Sequence, residues 1–271
     1  MSDRSTAFVG SIPENYDRYL GPLFFHPCAD DLVTRLVRTP GIRVLETACG
    51  TGIVTERLAR VLAPDGTLVA TDLNEPMLAY AQQRTKLGAH VAWRTADATA
   101  LPFDTASFDA VVCQFGLMFY PDKALGVREA RRVLKPGGQY LLNVWDTLER
   151  HPATLITHET VASFFPADPP QFFRIPHSLA DPEPVKAWLR EEGFPQVDVS
   201  VVEGTGTSPT AADAARAMIE GTPLYGAIMQ RGPDLIPEIE AAVATKVAAQ
   251  LGDRPVRAPL RWLVFSARAA Q

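Results

Sequence analysis

The sequence predicts an α/β fold built on a doubly wound parallel sheet, and three observations predict it. Short apolar runs alternate with helix-length segments from Arg43 to Trp145; a glycine-rich turn, Gly50-Thr51-Gly52, follows the first run; and an acid, Asp72, closes the second. Strand and helix alternating at this spacing give parallel strands joined by right-handed crossovers.

The elements follow in order. Ser11 and Glu14 have capping-box spacing with Pro13 at an early helical position, so a helix starts there, and Gly21-Pro22 is expected to break it. A second helix is expected over 27–38, with Leu32, Val33, Leu36 and Val37 on one face, ending at Thr39-Pro40-Gly41. Strands are expected at 43–47, 67–71, 91–95, 108–114 and 139–145; the fourth, Phe-Asp-Ala-Val-Val-Cys-Gln, is apolar enough to be buried on both faces. Asn74 and Asp122 can each cap the helix that follows, and Lys135-Pro136-Gly137-Gly138 is expected to turn the chain into the fifth strand. Beyond Trp145 come helices at 153–164, 184–192, 210–220 and 233–251, and strands at 196–203 and 260–267.

Bulk properties narrow the classes. The chain has 271 residues, 46% of them apolar, and a net charge of −5. That is a large core and no electrostatic footprint for nucleic acid or an anionic membrane. No apolar stretch is long enough to span a bilayer, and Met1-Ser2-Asp3-Arg4 lacks a signal-peptide pattern, so a cytoplasmic protein is expected. Cys28, Cys49 and Cys113 are too scattered for a disulfide framework or a zinc site, and no metal is expected. Proline is the outlier, with 23 residues. Only Pro64, Pro76, Pro102, Pro121 and Pro136 fall within 42–145, whereas 151–195 holds Pro152, Pro166, Pro169, Pro170, Pro176, Pro182, Pro184 and Pro195.

The chemistry concentrates after the first two strands. A nucleotide-like cofactor lies against the carboxyl ends of parallel strands, where small residues let the backbone approach closely. Asp72, at the end of the second strand, can accept bonds from both ribose hydroxyls; taken alone it reads equally as a cap or turn residue. A dinucleotide loop would carry a third glycine, but Thr55 stands where it would be. The loop also opens on Glu46, whose carboxylate would repel a pyrophosphate and attract the ammonium of a methionine moiety. The charge pattern favours S-adenosylmethionine over NAD.

Five motifs then stand in order: Val44-Leu45-Glu46-Thr47-Ala48-Cys49-Gly50-Thr51-Gly52, Ala70-Thr71-Asp72-Leu73-Asn74, Ala96-Asp97-Ala98, Phe108–Gln114, and Arg132-Val133-Leu134-Lys135-Pro136-Gly137-Gly138. With them the chain resembles the class I S-adenosylmethionine-dependent methyltransferases of the small-molecule type, similar to the ubiquinone/menaquinone methyltransferase-like group. The resemblance is strong over 42–145 and weak elsewhere. Ala48 departs from the glycine that many members carry. The resemblance implies a seven-stranded Rossmann-like sheet of order 3-2-1-4-5-7-6 with strand 7 antiparallel. It also implies one domain: an N-terminal helical lid (1–41), a cofactor-binding core (42–145), an insertion walling the acceptor pocket (146–195) and a part completing the sheet (196–271).

It further implies residue roles. Glu46, Ala48, Gly50, Thr51 and Gly52 would line the methionine and ribose part, and Asp72 would hold the ribose. Leu73 and Met77 would pack on adenine, although Met77 reads equally as helix core. Asp97 would accept from the adenine amino group and the Ala98 amide would donate to the ring. Gln114 and Phe115 would sit beside the methionine moiety and the transferred methyl. Tyr16 and Tyr19 would bring aromatic faces near the sulfonium, or fill an amphipathic helix.

Methyl transfer from a sulfonium is an in-line displacement, so alignment and water exclusion carry it and no loud catalytic motif is required. A general base serves only an acceptor that must lose a proton; Tyr16, His26, His151 and His158 are the candidates. Phe164, Phe165, Phe172 and Phe173, set among prolines, read as an apolar pocket wall, an interface or satellite core. The expected partner is a small, fairly apolar methyl acceptor, with no nucleic acid and no membrane span. The alternatives are an NAD(P)-dependent oxidoreductase and a non-catalytic S-adenosylmethionine-binding protein.

Overall fold

In the computed structural model, which describes residues 12–62 and 64–271, the alternation after Arg43 becomes a sheet whose central strands are β1 (Arg43–Glu46), β2 (Thr67–Asp72), β3 (Val91–Thr95), β4 (Phe108–Gln114) and β5 (Leu134–Trp145). They pair in parallel, β1 lying between β2 and β4. Two long strands, β6 (Gln196–Ser208) and β7 (Val256–Arg268), complete the order β3-β2-β1-β4-β5-β7-β6, with β7 antiparallel to β5. This is the order and hand that the resemblance implied.

By contacts the described residues fall into two compact units: 28–146 with 178–202 and 262–271, and 12–27 with 147–177 and 203–261. In the first unit the central strands β1, β4 and β5 are buried on both faces, Val44, Leu45, Ala110, Val111, Cys113, Leu141 and Leu142 among them. Asp109 is the charged residue of β4. Its carboxylate leaves the core by accepting the Arg43 amide at 2.8 Å and the Lys135 ammonium at 2.7 Å. Helices α3 (Ile53–Leu62), α4 (Glu75–Thr85), α5 (Lys123–Val133) and α7 (Pro182–Glu191) belong to this unit. Asp122 caps α5 as expected, accepting from the Leu125 amide at 2.9 Å. Asn74 stands at the N-cap of α4 but makes no side-chain cap.

Several boundaries differ for identifiable reasons. The helix expected over 27–38 is α2, His26–Thr34. The Gln139 side chain ends it by pairing with the chain as a strand would, donating to the Arg35 carbonyl at 3.1 Å and accepting from the Val37 amide at 2.9 Å. The turn expected at 135–138 lies inside β5 as a bulge: Leu134 still pairs with Phe108, and Gln139 resumes at Ala110.

In the second unit, Ser11 of the expected capping box lies outside the described residues, and α1 runs Ile12–Asn15. The break expected at Gly21-Pro22 does not occur. A π-helix, Tyr16–Phe25, carries Pro22 inside it, and the His26 amide donates to the Gly21 carbonyl, an i→i+5 bond. A proline lacks only its own N–H, and the wider π turn relieves the clash its ring would make in an α-helix. Helices α6 (Pro152–Phe164), α8 (Ala211–Glu220), α9 (Leu224–Arg231) and α10 (Ile236–Leu251) fill the unit. α9 was not expected; it is short and buries only Leu224 and Ile228, one turn apart. Small residues on α8 (Ala211, Ala214, Ala215 and Ala217) let the π-helix and α10 pack closely against it. Phe172 and Phe173 are buried edge to face, centroids 5.5 Å apart.

Gly206 is required by close approach. A Cβ there would stand 1.7 Å from the Leu23 carbonyl oxygen, a backbone atom that cannot move aside. Gly206→Ala should destabilise the protein by about 3 kcal/mol, at the upper end of overpacking costs. Urea denaturation measures it, and an unchanged midpoint would show that this approach is not made.

Candidate functional site

The site begins at the carboxyl ends of β1, β2 and β4, where the strand order turns about β1. The loop after β1 is held from both sides. The Thr47 amide donates to the Val112 carbonyl on β4 at 2.9 Å, and the Cys49 amide to the Thr71 carbonyl on β2 at 2.9 Å. Ala48, Gly50 and Gly52 all have positive φ, at 55°, 56° and 82°. Glycine is at ease there and Ala48 is strained, which explains why glycine suits that position in relatives of this kind. A Cβ on Gly50 would meet Met77 Cε at 3.7 Å, so Met77, buried on α4, borders the loop. Arg84 closes the far side, donating to the Thr51 carbonyl through Nε and Nη2 at 3.2 Å each.

A second clamp was not visible in the sequence. Tyr120 donates to Thr47 Oγ1 at 3.2 Å and lies 3.4 Å from Cys113 Sγ, joining the loop to the exit of β4. Tyr120 and Thr47 are far apart in sequence, and Tyr120 belongs to none of the five motifs. All three cysteines are free and buried, and burial raises the thiols of Cys49 and Cys113, so both are packing residues.

Two carboxylates dominate the electrostatics. Asp72, 6% exposed, accepts the Gly50 amide on Oδ2 and the Asn74 amide on Oδ1, each at 2.8 Å. Burial pushes its pKa up and those amides pull it back. Glu46 is buried with no hydrogen-bond partner for Oε2, and the hydroxyls of Thr51 and Thr55 are likewise buried and unpartnered. Burial pushes Glu46 up to about 8; the Thr55 hydroxyl, near it but short of hydrogen-bond geometry, and the Thr55 amide oppose the rise, and the Asp72 charge adds to it.

The other expected residues are distributed as follows. Leu73 is 64% exposed, an apolar side chain standing open at the end of β2. Asp97 is exposed, and its Oδ1 accepts the Thr99 amide and hydroxyl at 2.8 and 2.7 Å; Ala98 follows, half-buried. Phe115, with φ 51°, is stacked on Trp145 at 3.8 Å between centroids, and Gln114 is half-buried beside it. Glu46, Ala48, Gly50, Thr51, Gly52, Asp72, Leu73, Met77, Asp97, Ala98, Gln114 and Phe115 thus all belong to the sheet unit.

Tyr16, Tyr19, His26 and His151 belong to the helical unit. Tyr16 stacks on Phe25 at 4.7 Å, and the Arg18 guanidinium lies over Tyr19 at 5.0 Å. The His26 ring folds back toward Gly21. His151 is 1% exposed; Nδ1 lies 2.9 Å from the Thr147 carbonyl and Nε2 accepts from the Arg261 amide at 3.3 Å. Both of its ring nitrogens are engaged within the unit, which suits a structural histidine better than a base. The same unit holds an open cleft of about 480 Å³ whose lining includes Glu149, His158, Glu159, Arg174 and His177. Burial and the Arg174 charge lower the His158 pKa.

The raised Glu46 pKa has a definite sign. The folded protein holds a proton that the unfolded chain gives up near the ordinary carboxyl value of 4.5, so stability falls as pH rises from there through about 8. Glu46→Gln should therefore raise the melting temperature of the ligand-free protein by several degrees at about pH 8.5 and change it little at about pH 5. A difference independent of pH in scanning calorimetry would remove the buried carboxyl as its cause.

Comparison with known proteins agrees with this geometry. A family model described as a methyltransferase domain matches residues 44–138. The demethylmenaquinone methyltransferase of Clavibacter sepedonicus is 33% identical over 172 residues, covering 58% of this chain and 67% of that protein. The ubiquinone/menaquinone biosynthesis C-methyltransferase UbiE of Ralstonia pickettii (strain 12J) is 43% identical over 119 residues, 41% of this chain and 48% of that protein. Against that protein and its Saccharophagus degradans counterpart, the chain spans less than half of the relative's length, 48% and 42%. Among solved structures, phosphoethanolamine N-methyltransferase 2 of Haemonchus contortus in complex with S-adenosyl-L-methionine is 18% identical, with TM-score 0.60 over 96% of this chain and 57% of that one. The YcgJ protein of Bacillus subtilis is 17% identical, with TM-score 0.58 over 91% and 99%. These two likenesses are of fold.

Proposed function

Because the chain belongs to the class I S-adenosylmethionine-dependent methyltransferase family, we propose that it transfers a methyl group from S-adenosylmethionine to a small, fairly apolar metabolite by in-line displacement. The observation that carries this reading is Glu46: a buried carboxylate oxygen without a partner, at the carboxyl end of the central strand. A buried unpaired carboxylate is costly, and a cation beside it removes that cost.

The residues fit the cofactor. Glu46 would hold its ammonium, and the unpartnered hydroxyls of Thr51 and Thr55 add polar groups in the same stretch. Asp72 would take the ribose hydroxyls while keeping its two amides, since each carboxylate oxygen has a second lone pair. Asp97 Oδ2 and the Ala98 amide would meet the adenine edge, with Leu73 and Met77 on its faces. When bound, S-adenosylmethionine supplies an electrophilic methyl on a sulfonium. The protein's part is to fix the acceptor against it and exclude water.

A dinucleotide fits poorly. Thr55 replaces the third glycine, and Glu46 would face a pyrophosphate with like charge. A binding protein without turnover is not favoured by any residue of the site. For the acceptor, relatives named for ubiquinone/menaquinone biosynthesis and demethylmenaquinone methylation put a quinol ring at the head of the panel.

Isothermal titration calorimetry should show binding of S-adenosylmethionine and none of NAD; NAD binding alone would reverse the assignment. Affinity should rise between about pH 6 and pH 7.5 with proton release, as Glu46 ionises to meet the ammonium, and fall above about pH 8 as an α-amino group loses its proton. Asp72→Ala should weaken binding by about 1–3 kcal/mol, the scale of a lost charged hydrogen bond; wild-type affinity would take Asp72 out of the site. Transfer of labelled methyl to quinols, phenols and amines tests turnover, and cofactor binding without transfer to any of them would leave the non-catalytic alternative standing.

A further inference from the structure

Arg84 stands in the last turn of α4 and reaches back to the glycine-rich loop. Its Nε and Nη2 both donate to the Thr51 carbonyl, at 3.2 Å each, and its Nη1 donates to Glu56 Oε2 at 3.3 Å. Glu56, in the first turn of α3, is held through its other oxygen by Arg60. The guanidinium is therefore aimed. Glu56 takes one branch, and the remaining two nitrogens converge on a single backbone oxygen. The Arg84 side chain is only 27% exposed, so its bonds are partly shielded from water. A planar fork held at three nitrogens keeps little freedom of its own.

That oxygen belongs to the peptide between Thr51 and Gly52. At the other end of the same peptide the Gly52 amide donates to the Cys49 carbonyl at 3.0 Å. One peptide plane is thus pinned from two directions by unrelated partners. Such pinning is needed here because the next residue is glycine, with φ 82°. A peptide plane turns over by a joint change in ψ of the residue before it and φ of the residue after it. Glycine accepts φ of either sign with little strain. A side chain at position 52 would restrict this motion, but there is no room for one. A Cβ would stand 3.2 Å from Ala81 Cβ and 3.3 Å from Thr85 Cγ2 on α4, at a φ that disfavours any side chain. The loop must keep its glycine and needs another means of holding the plane.

We propose that Arg84 is a positioning residue that locks the Thr51–Gly52 peptide in one orientation and so keeps the loop in the form that binds the cofactor. The assignment rests on the cofactor reading above, in which Gly50, Thr51 and Gly52 line the ligand. Turning the plane over breaks both of its bonds and exchanges donor and acceptor along the loop. Without Arg84, only the Cys49 bond opposes the turn. Part of the population then holds the wrong form, and apparent affinity falls in proportion to the competent fraction that is lost. This mechanism has a kinetic signature. Fewer competent molecules slow association, whereas the complex, once formed, dissociates at the wild-type rate.

The test is surface plasmon resonance with S-adenosylhomocysteine on wild type, Arg84→Met and Arg84→Lys, with nitrogen-15 relaxation dispersion at the Gly52 amide. Arg84→Met should lose about 5- to 30-fold in affinity, the scale of a hydrogen bond to a charged group, almost all of it in the association rate. Its dissociation rate should stay within about twofold, and its Gly52 amide should show exchange that wild type lacks. Arg84→Lys, whose single ammonium can meet the carbonyl but cannot fork, should fall between the two. Melting temperatures identify folded variants, and the Lys variant carries the same test should the Met variant not fold. Wild-type affinity in every folded variant overturns the proposal, as does a loss carried by faster dissociation or a Gly52 amide as quiet as in wild type. Wild-type protein that does not bind S-adenosylhomocysteine overturns the cofactor reading instead.

Discussion

The constraint on which the rest of the structure depends is the burial of an acid at the end of the central strand. Glu46 is desolvated on all sides, and Asp72 stands buried on the next strand with a raised pKa of its own. Two carboxylates cannot share such a place unless the backbone around them is rigid and donates to them. The loop after β1 supplies that rigidity: its amides go alternately to β4 and β2 and then to Asp72, and left-handed residues at 48, 50 and 52 let it turn within three peptides. Asp72 is satisfied by this arrangement and Glu46 is not. The ligand-free protein therefore holds a proton on Glu46 through neutral pH and leaves its Oε2 without a partner. Binding specificity and the cost of folding are the same fact seen from two sides.

The neighbouring strand end is built differently. At β4 and β5 the fixed quantity is hydrogen-bond polarity rather than charge. The left-handed Phe115 turns its amide into β5, where Asn143 Oδ1 accepts it, and Asn143 Nδ2 donates to Gln114 Oε1. The stack of Phe115 on Trp145 holds the same turn by packing. Tyr120, bonded to Thr47, ties the exit of β4 back to the loop after β1. The loops at the site are thus held by tertiary hydrogen bonds from outside their own segments, and their strain at Ala48 and Phe115 persists because those bonds over-determine it.

Much of the fold was legible because it rests on local rules. Strand β4 declared itself by its apolar run, α5 by Asp122, and the topology by strict alternation of strand and helix. What was misread involved partners distant in sequence. The end of α2 is set by Gln139, a hundred residues on. The continuation of the helix through Pro22 needed a π turn that no periodicity announces. His151 looked available because a sequence does not show that both ring nitrogens are engaged.

By itself the sequence determined the sheet, its order through the resemblance, and the chemical identity of the acids at the ends of β1 and β2. Residue type at the end of a strand fixes which charge is placed there, and alternation fixes which end that is. Only the tertiary structure decided how those acids are held: that Asp72 is satisfied and Glu46 Oε2 is left wanting, and that Asn143, silent inside an apolar run, bonds both the Phe115 amide and the Gln114 side chain. Burial and hydrogen-bond direction depend on where every neighbouring strand ends. No single segment carries that information, because the donors and acceptors that settle it lie on four different strands.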